Sequence, residues 1–453
     1  MLSPSPSMTL YSRLWQAFDS TPAPVIDFHQ QGALPSCFAV SDFAAASMGV
    51  AAAYLARLCH TSSAPRVDRR LASYWFSSSV RPLNRPLQQL WDPLAGDYQT
   101  LDGWIRLHTN AAHHRQAVAR VLGVHATREA LAQQVSQWRA QALEQVVVDH
   151  GGCAAAMRSA RQWQTHPQGI AVSRQPLLIE EYLPPGSPAS WPLSPSRPLC
   201  GIRVLDLTRI IAGPVATRFL AGLGADVLRI DPLDWQEPTL EEEITLGKRC
   251  ARLNIKTQID KQRLIVLLSQ ADVIVHGYRA DALDVLGLDS QTRATLSPGI
   301  IDVSLNAWGW DGPWRNRRGF DSLVQMACGI AEAGQRWRKA DKPVPLPVQA
   351  LDHATGYLMA AAVLKGLLQR IENGAGYRAR LSLARVAASL MPWPGAQDEA
   401  PFAPLQRADF KPALEYSAFG LAERLNFPIR LAGTPMVWSR PPSRLGTAAP
   451  EWW

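Results

Sequence analysis

The chain has 453 residues, 47% hydrophobic and 19% charged, the makeup of a globular protein with room for two or three cores. Its formal net charge of +8 is diffuse, with no Lys/Arg block interleaved with aromatics, so nucleic acid is not an expected partner and a small polyanion suits the surplus. The chain has no apolar run long enough for a membrane span and no basic-then-apolar leader, and its six cysteines form no CxxC pair. Neither membrane, metal nor redox dithiol is therefore expected, and the cytoplasm is the expected compartment.

Residues 1–30 begin Pro/Ser-rich and are expected to form an N-terminal tail, poorly ordered at its tip. The Ala-rich stretch 41–58 reads as a buried helix with Ser41 or Asp42 at its N-cap. Segment 66–79 fits a strand or a short helix, and a Pro-rich loop follows over 80–93; 31–93 thus form one unit with its linker. Residues 94–182 read as a small α+β domain. Within it 103–108 alternates like a strand, while 115–122 and 128–148 carry helical periodicity. The Pro/Gly/Ser-rich 183–200 is the expected linker.

From 201 to 394 short apolar strands alternate with helices. Strands are expected at 203–207, 226–230, 272–276 and 300–305, and an Ala-rich helix at 352–369. That alternation predicts a parallel sheet covered on both faces. The fold class is therefore α/β, a Rossmann-like parallel-sheet domain plus a smaller α+β domain. Residues 395–453 are Pro-rich and are expected to run irregularly back to the large domain.

An internal echo links the two halves. Residues 41–58 lie on 351–368, matching Asp42 with Asp352, Ala51 with Ala361 and Leu58 with Leu368. After a two-residue shift Leu71 falls on Leu383 and Ala72 on Ala384. The shared acid at the helix start suggests a partial duplication, with Asp42 as a structural or vestigial copy.

The stretch GIRVLDLTRIIAGP at 201–214 continues as VATRFLAGLGADVLRID to Asp231. It makes a strand–turn–helix–strand unit, which holds nucleotide-like groups at the carboxyl ends of its strands. Its turn lacks the GxGxxG phosphate loop, so a nicotinamide cofactor is not expected. Three further blocks follow: GKRCARLNIKT at 247–257, ADVIVHGYRADALDVLGLD at 271–289, and GFDSLVQMACGIAEAG with VQALDHATGYLMAAAVLKGLL across 319–368. With them the chain resembles the class III CoA-transferases, a family that includes formyl-CoA and carnitine CoA-transferases and α-methylacyl-CoA racemase. Residues 102–123 and 147–169 are similar to the family's small domain, which normally follows the large one. Here the order is inverted, as if two copies had been fused and each trimmed.

The resemblance implies a mechanism and a site. Asp352 becomes the nucleophile, attacking an acyl-CoA thioester to give an enzyme anhydride and then an aspartyl-CoA thioester. The helix N-terminus is expected to keep Asp352 ionised and to steady a developing oxyanion. Asp321 and His353 are possible accessory groups. Coenzyme A is expected along Ile211, Ala212 and Gly213, Lys248 and Arg249, and His276, Gly277, Tyr278 and Arg279. An acyl-CoA and a carboxylic acid are the implied substrates, with no tightly bound cofactor and no metal. A site between large and small domains implies a homodimer or a pseudo-dimeric monomer.

Two departures narrow this. Ile211 stands where formyl-CoA transferase has a glutamine, which argues against formyl or oxalyl substrates. Phe320 stands where the racemase has its catalytic histidine, so a racemase or isomerase reading needs His353 or one of His108, His113 and His114 as the second base. A non-catalytic CoA-binding scaffold is the third reading.

Overall fold

The computed structural model describes residues 5–86, 91–124, 127–186, 191, 193–279, 281–396 and 399–452. Runs such as RVLDL, VIVH and IDVSLN are buried at nearly every position, as strands covered on both faces must be. They belong to a seven-stranded sheet. Numbered in chain order, its strands are β1 (Ile179–Pro185), β2 (Arg203–Leu207), β3 (Asp226–Asp231), β4 (Arg249–Arg252), β5 (Val273–His276), β6 (Ile301–Asn306) and β7 (Ala375–Ser382). The spatial order is β4-β3-β2-β5-β6-β7-β1, parallel throughout except for β1, which adds antiparallel to β7. The order reverses between β2 and β5, so the loops leaving these strands part and open a crevice at the carboxyl edge.

The fold is α/β, as expected, and four of these strands match the sequence reading. β4 and β7 lie outside it because their arginines break the apolar run. Residues Leu183 to Pro185, expected in the linker, instead close β1. Pro184 and Pro185 are tolerated there because an edge strand is bonded on one side only. Residues 187–190 and 192 of that linker lie outside the described residues.

The long helix Ala350–Asn373 lies between the sheet and a second Ala-rich helix, Val40–Leu58. It is buried on every side from Ala350 to Leu367, and its alanines let both neighbours approach closely. At Gly356, one turn beyond Asp352, an added Cβ would meet the Ala212 carbonyl oxygen at 2.5 Å and Val215 Cβ at 2.8 Å. The helix Ala212–Gly222, which follows β2, therefore presses its first turn onto the Asp352 helix.

Within the expected N-terminal tail the described residues form a helix, Pro6–Gln16, while the tip at 1–4 lies outside the described residues. Ser5 caps it by accepting from the Met8 N–H at 3.2 Å, Pro6 opens it, and Leu10, Tyr11, Leu14 and Trp15 are buried toward the Val40–Leu58 helix. The small unit is a three-stranded antiparallel sheet, Gly96–Gln99, Trp104–Leu107 and Ala154–Ala156, covered by helices. Its expected single helix over 128–148 breaks into Arg128–Val135 and Ala140–Asp149, because the Trp138 carbonyl turns to accept from the Leu101 N–H at 2.9 Å. The C-terminal region is not wholly irregular either. Gly420–Arg424 pairs with Val80–Pro82, inside the expected loop, and Ile429–Arg430 pairs with Arg66–Asp68. No helix among the described residues is long and apolar enough to cross a membrane.

Gly356→Ala is expected to lower unfolding free energy by about 1–3 kcal/mol, because backbone rather than a flexible side chain must give way. Urea denaturation measures this, and a wild-type midpoint would show that the two helices are not in register as described.

Candidate active site

Asp352 is the third residue of its helix. The N-cap, Gln349, offers no side-chain hydrogen bond, so the first-turn N–H groups need another acceptor. Asp321 supplies it from a separate helix, Asp321–Ala327. Its Oδ2 accepts from the Asp352 N–H at 2.9 Å, and the Leu351 N–H also bonds to it. Gln325 donates to the other oxygen of Asp321 and accepts from the Leu346 N–H at 2.8 Å, fixing the cap in place.

This arrangement corrects one expectation. The N–H groups thought to keep Asp352 ionised are spent on Asp321. Asp352, 6% exposed, has no hydrogen bond to its carboxylate among the described residues. Burial and then the Asp321 charge push its pKa well above the usual carboxylate range. Asp321, fully buried, is itself pushed up to about 6, chiefly by burial, against the lowering pull of Gln325, the two backbone N–H groups and Arg106. Two carboxyls thus share one dry space, and the charge of Asp321 makes Asp352 harder to ionise.

The small unit forms the opposite wall. Its backbone meets the Asp321 helix where the Arg158 N–H donates to the Met326 carbonyl at 3.0 Å. Arg317 reaches back to the Ala154 carbonyl at 2.7 Å and to Glu144 at 3.1 Å. His108 stacks on Phe320 with ring centres 3.9 Å apart, and His114 lies edge-on to the same ring with its Nε2 at 3.4 Å from Cys153 Sγ. Burial, more than neighbouring charge, lowers the pKa of both imidazoles, His114 to about 3, so both are neutral. His353 is not part of this wall. It stacks on Phe76 at 5.1 Å, on the side of Arg218 and Glu243.

The residues expected to hold coenzyme A divide into two groups. Ile211, Ala212 and Gly213 form the N-cap and first turn of the helix after β2, beside the Asp352 helix. Gly277, Tyr278 and Arg279 leave β5 at the carboxyl edge, where Arg279 is exposed and only loosely paired, 3.9 Å from Asp281. The others face elsewhere. Lys248 is fully buried, its Nζ bonded to Asp206 at 2.9 Å and to the Pro214 carbonyl at 3.0 Å. Arg249 turns to Asp226 at 2.9 Å, at the amino end of β3. His276 is buried against Asp302, 3.2 Å away, which Arg293 also holds. Each is committed to a partner within the fold, which differs from the expected ligand-facing role.

Arg209, in the turn after β2, is absent from the expected set and better placed than those three. Its guanidinium lies 4.8 Å from the Trp235 ring centre and 5.3 Å from that of Tyr278, and it pairs with no carboxylate among the described residues. Its charge and that of Asp234 both bear on His113 of the small unit. Arg209 therefore stands at the sheet edge on the side that faces the small unit. No group of three potential metal ligands occurs among the described residues.

The family model for CoA-transferase family III matches residues 199–440, over half of the chain. The chain belongs to CoA-transferase family III. It is 30% identical over 344 residues to the acetyl-coenzyme A transferase nodX of Hypoxylon pulicicidum, covering 70% of this chain and 58% of that protein. It is 31% identical to an acyl-CoA transferase of Gibberella moniliformis, covering 63% of this chain and 54% of the relative. Among solved structures, Rv3272 from M. tuberculosis is 31% identical over 43% of this chain and 56% of its own, with a TM-score of 0.40. The chain thus spans little more than half the length of the curated relatives it matches.

An acid whose pKa is raised by folding leaves stability intact below its unfolded value and costs stability once pH exceeds the folded value. Asp352→Asn removes that cost. The variant is expected to melt several degrees above wild type at pH 8, with the difference vanishing near pH 4. Thermal unfolding across that range checks it, and a lower melting point at pH 8 would contradict the description of the pair.

Proposed function

We propose that the chain transfers coenzyme A from an acyl-CoA to a carboxylic acid through covalent intermediates on Asp352. The observation that carries this reading is the unbonded Asp352 carboxylate at the start of a buried helix, with a neighbour whose charge raises its basicity. Membership of the family supports it.

The chemistry balances without an external proton. The ionised Asp352 attacks the thioester carbonyl, the C–S bond breaks, and coenzyme A leaves as thiolate from a mixed anhydride. The thiolate then attacks the Asp352 acyl carbon and expels the donor acid, which carries away one oxygen of Asp352. The acceptor carboxylate attacks the resulting aspartyl thioester, releasing thiolate and forming a second anhydride. Attack of thiolate on the acceptor carbonyl gives the new acyl-CoA and restores Asp352. Each intermediate is about as activated as a thioester, so no step is steeply downhill.

The protein's contribution is placement and dryness. Asp321 binds the helix end and so aims Asp352. His108 stacks on Phe320, the residue before Asp321, and this packing keeps water from the acids, which slows hydrolysis of an anhydride. Arg209, lying over the Trp235 and Tyr278 rings, and Arg279, loosely paired with Asp281, are cations at the sheet edge suited to the phosphates of coenzyme A. An isomerase needs a second base facing Asp352, and His353 is turned away to Phe76.

Hydroxylamine added with a panel of acyl-CoAs is expected to leave a hydroxamate on the peptide holding Asp352, read by mass. Bound coenzyme A with no hydroxamate across the panel would favour the scaffold reading. Arg209→Leu is expected to weaken coenzyme A binding about tenfold, the loss of one charge-assisted contact, as measured by calorimetry. Unchanged affinity would move the phosphates elsewhere.

A further inference from the structure

The helix Val40–Leu58 begins as the Asp352 helix does, down to the backbone. Ala39 has φ −73° and ψ 59°, and Gln349 has φ −76° and ψ 65°. Both are the centre of an inverse γ-turn, closed by Val40 N–H to the Phe38 carbonyl and by Ala350 N–H to the Val348 carbonyl, each at 2.8 Å. Neither residue caps its helix with a side chain, and an acid follows three residues later in each, Asp42 and Asp352.

The likeness extends beyond the helices. Each is followed by a strand and then a helix capped by its preceding residue: Asp68 accepts from Leu71 N–H at 2.9 Å, and Ser382 from Arg385 N–H at 3.3 Å. Each strand lies between one parallel and one antiparallel neighbour. Arg66–Asp68 sits between Asp27–His29 and Ile429–Arg430, and β7 sits between β6 and β1. The antiparallel neighbour is exchanged. β1 follows the first copy and the small unit but completes the second copy, whereas Ile429–Arg430 follows the second copy and completes the first. The caps also shift the expected register, since Leu383 matches Arg69 rather than Leu71.

That matched position is where the two copies part. Arg69 grips Asp42 with Nε at 2.9 Å and Nη2 at 3.0 Å, and Glu399 shares its guanidinium. Ser7 donates to the same carboxylate at 2.5 Å. Leu383 can do none of this, and Asp352 stays unbonded.

We propose that Asp42 occupies a second nucleophile position that Arg69 has converted into a structural ion pair, so that one chain holds two copies of the reactive unit and one open acid. This rests on Asp352 as nucleophile, but its decisive test does not. Breaking a buried pair leaves an unpaired charge, whereas removing an acid held for reaction relieves strain.

The test is a thermal-unfolding cycle at pH 7.5 on the full chain, comparing Asp42→Asn, Arg69→Met, the double variant and Asp352→Asn. The first two are expected to lower the midpoint by several degrees, and the double variant by no more than the worse single. Asp352→Asn is expected not to lower it. If Arg69→Met yields no soluble protein, Arg69→Lys, which keeps the charge but loses the fork, replaces it. A neutral or stabilising Asp42→Asn, or additive single effects, would overturn the proposal. Hydroxylamine trapping adds a second readout, with label on Asp352 alone and undiminished in Asp42→Asn. Label on the Asp42 peptide would also overturn it. Absence of label from every protein would remove the nucleophile reading and leave the unfolding cycle to decide this one.

Discussion

A helix end must give its first N–H groups to something. In this chain they go to the carboxylate of Asp321, delivered from 31 residues away. Much depends on that choice. It anchors the Asp321 helix to the Asp352 helix, sets a second negative charge beside Asp352, and leaves the Asp352 carboxylate without a bond of its own. A helix-capping carboxylate usually lowers its own pKa. Here burial outweighs the cap, and the pair titrates high.

The surrounding chain path encloses this pair between the Asp352 helix and the small unit. The small unit leaves the first Ala-rich copy, covers the Asp321 helix, and then commits β1 to the sheet of the second copy. The C-terminal region makes the reciprocal move onto the first copy. Neither half closes its own strand set, so the two halves cannot part without unpairing backbone. In an assembly of two subunits such an exchange is held by association; here it is held by covalent continuity.

Legibility in the sequence followed pattern length. The β2–helix–β3 stretch, the Ala-rich helices and Asp352 were readable because each sits in a long run with one period or one block order. Lys248 and Arg249 misled because a charge next to a strand is assumed to face solvent, and Asp206 and Asp226 draw both inward. Pro184 and Pro185 read as linker because sequence does not mark which strand is the edge. Arg209 had no pattern to announce it; its placement comes from Trp235 and Tyr278, which the fold brings together from separate loops. The cap by Asp321 was likewise invisible, since nothing in the spacing of two acids tells which one holds the helix.

The oxygen atoms of Asp352 give the most direct test. Turnover with an acceptor acid carrying heavy oxygen in its carboxylate should deposit heavy oxygen on the peptide containing Asp352, because the acceptor's own oxygen stays behind when the second anhydride is cleaved by thiolate. Product acyl-CoA formed with no heavy oxygen on that peptide would contradict the account and place the chemistry on another group.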